Sequence, residues 1–169
     1  MTDSLSAASK AVADAVAVIE AATTHLARQS EANGKISVAQ LDQHQVLAYD
    51  LAHATSALEG CRVMLDYAEK GEYESMLARA FIADAIWDLG SRIIGRESEW
   101  GVSLRDLFDA FSFVEAHRSP EFLESIADQL TTQGTGPTHL GDEFDLVRET
   151  FHRFAEDKIR PVAEHIHRT

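Results

Sequence analysis

From Leu5 onward the apolar residues Leu5, Ala8, Val12, Ala15, Ile19, Ala22 and Leu26 return every three or four positions, which places them on one stripe of a helix. A strand would alternate at every second residue, so this spacing excludes sheet over residues 4–31. Asn33-Gly34 is expected to close that helix, because both residues tolerate the left-handed conformation of a helix end. Ser37 then opens a second helix with the stripe Leu47, Leu51, Ala54, Leu58, Cys61, Leu65 and Ala68, interrupted at Gly71. A third is predicted over 72–96. There Met76, Leu77, Ala80, Phe81, Ala83, Ile86, Trp87, Ile93 and Ile94 cover much of the circumference, as in the most buried helix of a bundle.

Two further starts carry their own chemistry. Ser103-Leu-Arg-Asp106 fits a capping box, in which hydroxyl and carboxylate take up first-turn amides, ahead of Leu104, Leu107, Phe108, Phe111 and Val114. Ser119-Pro120-Glu121 starts a short fifth helix, since proline at the first helical position forfeits no hydrogen bond. With only three prolines in 169 residues, the expectation is an all-α fold: an antiparallel helical bundle over 1–130. Residues 131–141, TTQGTGPTHLG, read as a linker. Residues 142–169 form one further helix with Phe144, Val147, Phe151 and Phe154 on one side, which a lone helix cannot bury.

Charge narrows the function. Against 28 Asp plus Glu stand 15 Lys plus Arg, a formal charge of −13. A general nucleic-acid binder would need a basic footprint, and a membrane-surface protein a polybasic patch. The single cysteine, Cys61, can form no internal disulfide, which points to a reducing cytoplasm. No basic stretch precedes the N-terminal apolar residues, and Asp14 and Glu20 lie among them, so no signal peptide is expected. No run approaches the roughly 20 apolar residues of a membrane span.

Candidate chemistry is sparse. Glu149-Thr-Phe-His152 has the Glu-x-x-His spacing of di-iron carboxylate bundles, with Asp50-Leu-Ala-His53 as the nearest second copy. At about 100° per residue, Glu149 and His152 lie away from the Phe144/Val147/Phe151 stripe and His53 away from the Leu47/Leu51/Leu58 stripe, so these ligands are expected to face solvent. His165 and His167 diverge on a helix. No metal site is expected. Cys61 sits on an apolar stripe and is read as a buried, inert thiol. No phosphate-binding loop or nucleophile elbow occurs, Gly134-Thr-Gly136 is read as linker, and no catalytic residue is assigned. Phe113 lies opposite Phe108 and Phe111 on the fourth helix. It is either a lone exposed aromatic or part of a contact surface, and with Phe151 and Phe154 it forms the candidate interaction surface for a homo-oligomer.

The segment FDLVRETFHRFAEDKIRPVAEHIHRT, from Phe144, resembles the first helix of the acyl-CoA dehydrogenase family. Phe154-Ala155-Glu156-Asp157, Pro161 and Ile166-His167-Arg168-Thr169 occupy the places of that family's pattern, with His167 where an acidic residue is usual. The run from Leu47 through Arg62 to Ala68 is similar to a helix of the family's C-terminal four-helix domain, as is the next helix through Ile93-Ile94-Gly95. Gly95-Arg96-Glu97-Ser98 stands where the family places a glycine pair against flavin pyrophosphate. Residues 1–130 look like the extra helical domain that precedes some bacterial members. The resemblance implies a chain that continues past residue 169. It implies an FAD-dependent oxidation of an acyl-CoA thioester at its α,β carbons in the full-length product, with this portion structural and silent alone. Its implied partners are the acyl-CoA substrate and the remainder of its own polypeptide. The alternatives are a free-standing helical interaction module and, more remotely, a di-metal carboxylate enzyme.

The purified chain is accordingly expected to be colourless and to hold neither flavin nor iron. A visible absorption spectrum and elemental analysis check this, and a yellow preparation or stoichiometric iron would contradict it.

Overall fold

The computed structural model describes residues 2–168, with side chains from Leu5 onward; Thr169, which ends the quoted family-like run, lies outside the described residues. Among the described residues the fold is all-α apart from one hairpin of two two-residue strands. Chain contacts divide it into two units, one ending at Gly134 and one beginning at Thr135.

In the first unit α1 (Thr2–Gln29) buries Ala8, Ala11, Val12, Ala15, Val18, Ile19, Ala22 and Leu26. All of these side chains but Leu26 are small or β-branched, which lets neighbouring helix axes approach closely. Helix α1 ends earlier than its pattern suggested. Asn33-Gly34 is not its cap but the turn of a hairpin pairing β1 (Glu31–Ala32) with β2 (Lys35–Ile36). Asn33 at φ 54° and Gly34 at φ 75° both adopt positive φ, which a two-residue hairpin turn of this kind demands.

Ser37 caps α2 (Val38–Leu41) by accepting from the Gln40 amide, and a 3-10 turn over Asp42–His44 leads into α3 (Gln45–Ala68). Helix α4 (Glu72–Ile93) is the central column, packed on α1, α3 and α6 (Phe108–His117). Its Ile82, Ala83, Ile86 and Ile93 are wholly buried, whereas Phe81 and Trp87 are exposed. Helix α5 (Glu97–Trp100) has no counterpart in the sequence reading. It is a single turn that drives Trp100 completely into the core.

The expected capping box is present at Ser103 and Asp106, but it opens a 3-10 turn, Leu104–Leu107, before α6 begins. Ser119 accepts from the Phe122 amide at the start of α7 (Pro120–Gln133), with Pro120 in the first turn. Nothing before Gly134 breaks α7, so it continues through Thr131, Thr132 and Gln133 into the stretch expected as linker. The second unit is one helical run: α8 (Asp142–Phe154), a π turn (Ala155–Ile159), a 3-10 turn (Arg160–Val162) and α9 (Ala163–Arg168). Pro161 accounts for the irregularity, since its ring removes an amide and collides with the carbonyl one turn back, and the backbone widens to avoid it.

Gly101 ends α5 at φ 67°, and a β-carbon there would lie 2.2 Å from the His25 ring. Gly101→Ala is expected to cost about 1–3 kcal/mol, by adding backbone strain to a steric collision beside Trp100. Urea denaturation measures this, and an unchanged midpoint would contradict it.

Candidate functional site

The second unit presents its apolar side chains to solvent. Phe144, Val147, Phe151 and Phe154 are each more than half exposed, with Phe151 at 69%. Their three-four spacing makes one stripe, and the acidic first turn (Asp142, Glu143, Asp145) suits the positive end of the helix dipole. Counted at about 100° per residue from Phe144, Ile159 and Ile166 would lead the stripe by about 60° and about 40°. The π turn needs more residues to complete a revolution, and so winds both back toward the phenylalanines. Exposed Ile159, Val162 and Ile166 thereby continue the face begun at Phe144.

Phe113 requires a correction. It is 6% exposed and belongs to the core of the first unit, so it offers no contact surface. Helix α6 is apolar on two sides, and the one that finds a partner carries Ala110, Phe113 and Val114, leaving Phe108 exposed. Sequence reasoning reversed these two faces.

It also missed an apolar cleft between α4 and α6, of about 470 Å³, lined by Trp87, Ile94, Leu104, Phe111 and Val114. Gly90 is its floor: a β-carbon there would meet the Phe111 ring at 3.1 Å, so the missing side chain is what admits that ring against α4. The Arg118 guanidinium stacks over Trp87 at 4.8 Å and pairs with Asp84 at 2.9 Å.

The most organised polar group lies elsewhere. Asp50, only 7% exposed on the apolar side of α3, accepts from Arg92 at 2.6 Å and from Arg96 at 2.7 Å. Arg92 also binds Asp88 at 2.7 Å, and Arg96 binds Glu99 at 2.8 Å. Burial works to raise the Asp50 carboxyl, but the hydrogen bonds from Arg96 and Arg92 together outweigh it and hold the group below its usual range. Glu99 is held low chiefly by its hydrogen bond from Arg96. The sequence carried a signal for this: an Asp three residues after Leu47 and beside Leu51, on a stripe otherwise apolar, marks a charge that must find partners.

Asp50 therefore faces inward, clamped between two arginines, and not outward beside His53 as the Asp-x-x-His spacing had suggested. His53 stacks on Tyr49 at 4.4 Å and is exposed, as are Glu149, which pairs with Arg153, and His152. Among the described residues no group of three or more His, Cys, Asp and Glu side chains converges as a metal would need. Cys61 is fully buried, and desolvation pushes its thiol up to about 12, which removes it as a nucleophile near neutral pH.

Set beside known proteins, the chain is similar over nearly its whole length to one much longer relative. That relative is the (2S)-methylsuccinyl-CoA dehydrogenase of Cereibacter sphaeroides, 23% identical over 183 aligned positions covering 98% of this chain and 33% of that protein. The chain thus spans about a third of the length of the curated relative it matches. No known family model matches it. No helix among the described residues is long and apolar enough to cross a membrane.

A flavin does not fit the residues present. Arg92 and Arg96, the cations beside the open Gly95 turn, are committed to Asp50, Asp88 and Glu99, and no cation lines the apolar cleft. A pyrophosphate would meet no free donor set there.

Removing one member of the Asp50 cluster leaves two arginines short of an acceptor. Their side chains are about a third exposed or less, so part of the loss is recovered from water. Asp50→Asn is expected to lower stability by about 1–3 kcal/mol. Because the Asp50 pKa is depressed in the folded chain, its contribution is present above the unfolded carboxylate value of about 4 and is lost as pH falls through the folded one. Denaturation midpoints between neutral and acid pH should show the variant converging on the parent at the acid end. Parallel curves would contradict the assignment.

Proposed function

We propose that this chain is the N-terminal portion of an acyl-CoA dehydrogenase-like flavoprotein. In this reading residues 1–130 are an extra helical bundle, 131–141 a joint, and 142–169 the first helix of the dehydrogenase-like part. The full-length product oxidises an acyl-CoA thioester at its α,β carbons with FAD as acceptor, and this portion serves structure and assembly without catalysis of its own.

The observation that carries the reading is the alignment, which takes in 98% of this chain and a third of a relative whose name is that of an acyl-CoA thioester's dehydrogenase. The exposed face from Phe144 to Ile166 supports it, because such a face is stable only when further helices cover it. Phe151 and Phe154 are then the residues that seat on the remainder of the polypeptide. The same face can also be covered by a second copy, which makes self-association of the isolated chain part of the reading. In this reading the cofactor and the catalytic carboxylate are supplied by the remainder of the full-length product.

The direct test is to read and express the complete reading frame. The product is expected to copurify with FAD and to reduce an electron acceptor when an acyl-CoA is added, while residues 1–169 alone do neither. A native stop codon directly after Thr169 would overturn this reading in favour of a free-standing helical interaction module.

A further inference from the structure

Helix α7 is attached unlike its neighbours. None of its fourteen residues is buried, and only Phe122, Ser125, Ile126 and Gln129 are partly covered, so its seat is shallow. Two points hold it. At its far end the Tyr73 hydroxyl of α4 donates to the Gly134 carbonyl at 2.8 Å. At its near end the Phe122 and His117 rings lie nearly perpendicular with centroids 4.9 Å apart, and the Arg79 guanidinium of α4 lies over the Phe122 face at 5.3 Å.

His117 is the keystone of that near end. Its ring lies 4.2 Å from the Phe113 ring, and its Nδ1 donates to the Phe113 carbonyl at 2.9 Å. A carbonyl oxygen can only accept, so Nδ1 carries the hydrogen and Nε2 is the site that takes up a proton. The groups around it are unequal. Helix α4 brings the Arg79 cation, itself held by the Ser75 carbonyl and by Glu72 at 3.5 Å. Helix α1 brings Lys10 and Asp14 to the same depression, where Lys10 is paired with Asp14 and with Asp109 of α6. Helix α7 presents an aromatic ring, and its Glu121 is exposed. Among the described residues no carboxylate is hydrogen-bonded to the imidazole.

We propose that His117 is a proton-operated latch for α7: neutral, it seats Phe122 and keeps α7 on α4; protonated, it sets a second cation beside Arg79 in an aromatic corner, and α7 lets go, uncovering the Tyr73 side of α4. The titration behaviour agrees. Burial is the largest influence and lowers the imidazole, the Phe113 carbonyl opposes it, and Arg79 lowers it further, for a net downward shift. Only the share of that burial which α7 supplies is linked to docking: it favours the docked helix while the imidazole is neutral and is lost as pH falls through the value of the docked histidine.

The experiment is amide hydrogen exchange on the intact chain between about pH 7.5 and about pH 5, corrected for intrinsic rates, with a nuclear magnetic resonance titration of His117 in parallel. Protection across Pro120–Gln133 is expected to fall about tenfold while the α4 core stays protected. In His117→Gln the pH dependence of α7 should disappear, and in the parent His117 should titrate below its value in the urea-unfolded chain. An α7 protection independent of pH, an equal fall in His117→Gln, a fall shared by α4, or a His117 midpoint at or above the unfolded value would each overturn the latch.

Discussion

The burial of α4 is the constraint from which the rest of the first unit follows. A helix whose Ile82, Ala83, Ile86 and Ile93 have no exposed surface must be enclosed, and α1, α3 and α6 are the helices that enclose it. Each does so with the means its sequence supplies. Helix α1 brings alanines that allow close approach, α3 a leucine stripe, and α6 the Phe113 ring. With no internal disulfide to hold the chain, this packing carries the fold, and large apolar side chains removed from water are its main source of stability. The polar cluster at Asp50 is subordinate to it: buried with α3, the carboxylate needs Arg92 and Arg96 to offset its desolvation, which fixes α3 against the end of α4.

Much of this was readable from periodicity and caps. The stripe from Leu5 to Leu26, the serines that cap α2 and α7, and the Ser103/Asp106 box all act through neighbours within a turn or two, which a sequence displays directly. What escaped depends on partners far along the chain. Periodicity shows that α6 is apolar on two sides, but only tertiary packing decides that Phe113 goes inward and Phe108 outward. The Asp50 cluster joins residues 42 and 46 positions apart, so its only local trace was a charge out of place on an apolar stripe. The hairpin at Asn33-Gly34 was mistaken for a helix end because both structures ask for positive φ. Helix α5 is too short to announce itself by spacing at all.

The two units differ in how far they satisfy themselves, and that contrast shapes the functional reading. The first encloses a continuous core that takes in Trp100 completely, although Phe81, Trp87 and Phe108 stay exposed. The second is a helix reshaped around Pro161 so that its apolar residues stay in line, yet it leaves that line exposed. A regular apolar face left exposed is the feature on which the proposed reading, a helix seated on further helices, depends. A relative about three times as long, named for an acyl-CoA thioester's dehydrogenase, fits that reading.

Paired stability measurements on two single substitutions test the account most directly. Ile86→Ala opens a cavity in the enclosed column and is expected to cost about 2–5 kcal/mol, whereas Phe151→Ala, on the exposed face, is expected to change stability by no more than about 0.5 kcal/mol. Comparable losses from the two, or a larger loss at Phe151, would contradict the claim that α4 carries the fold while the terminal helix awaits a partner.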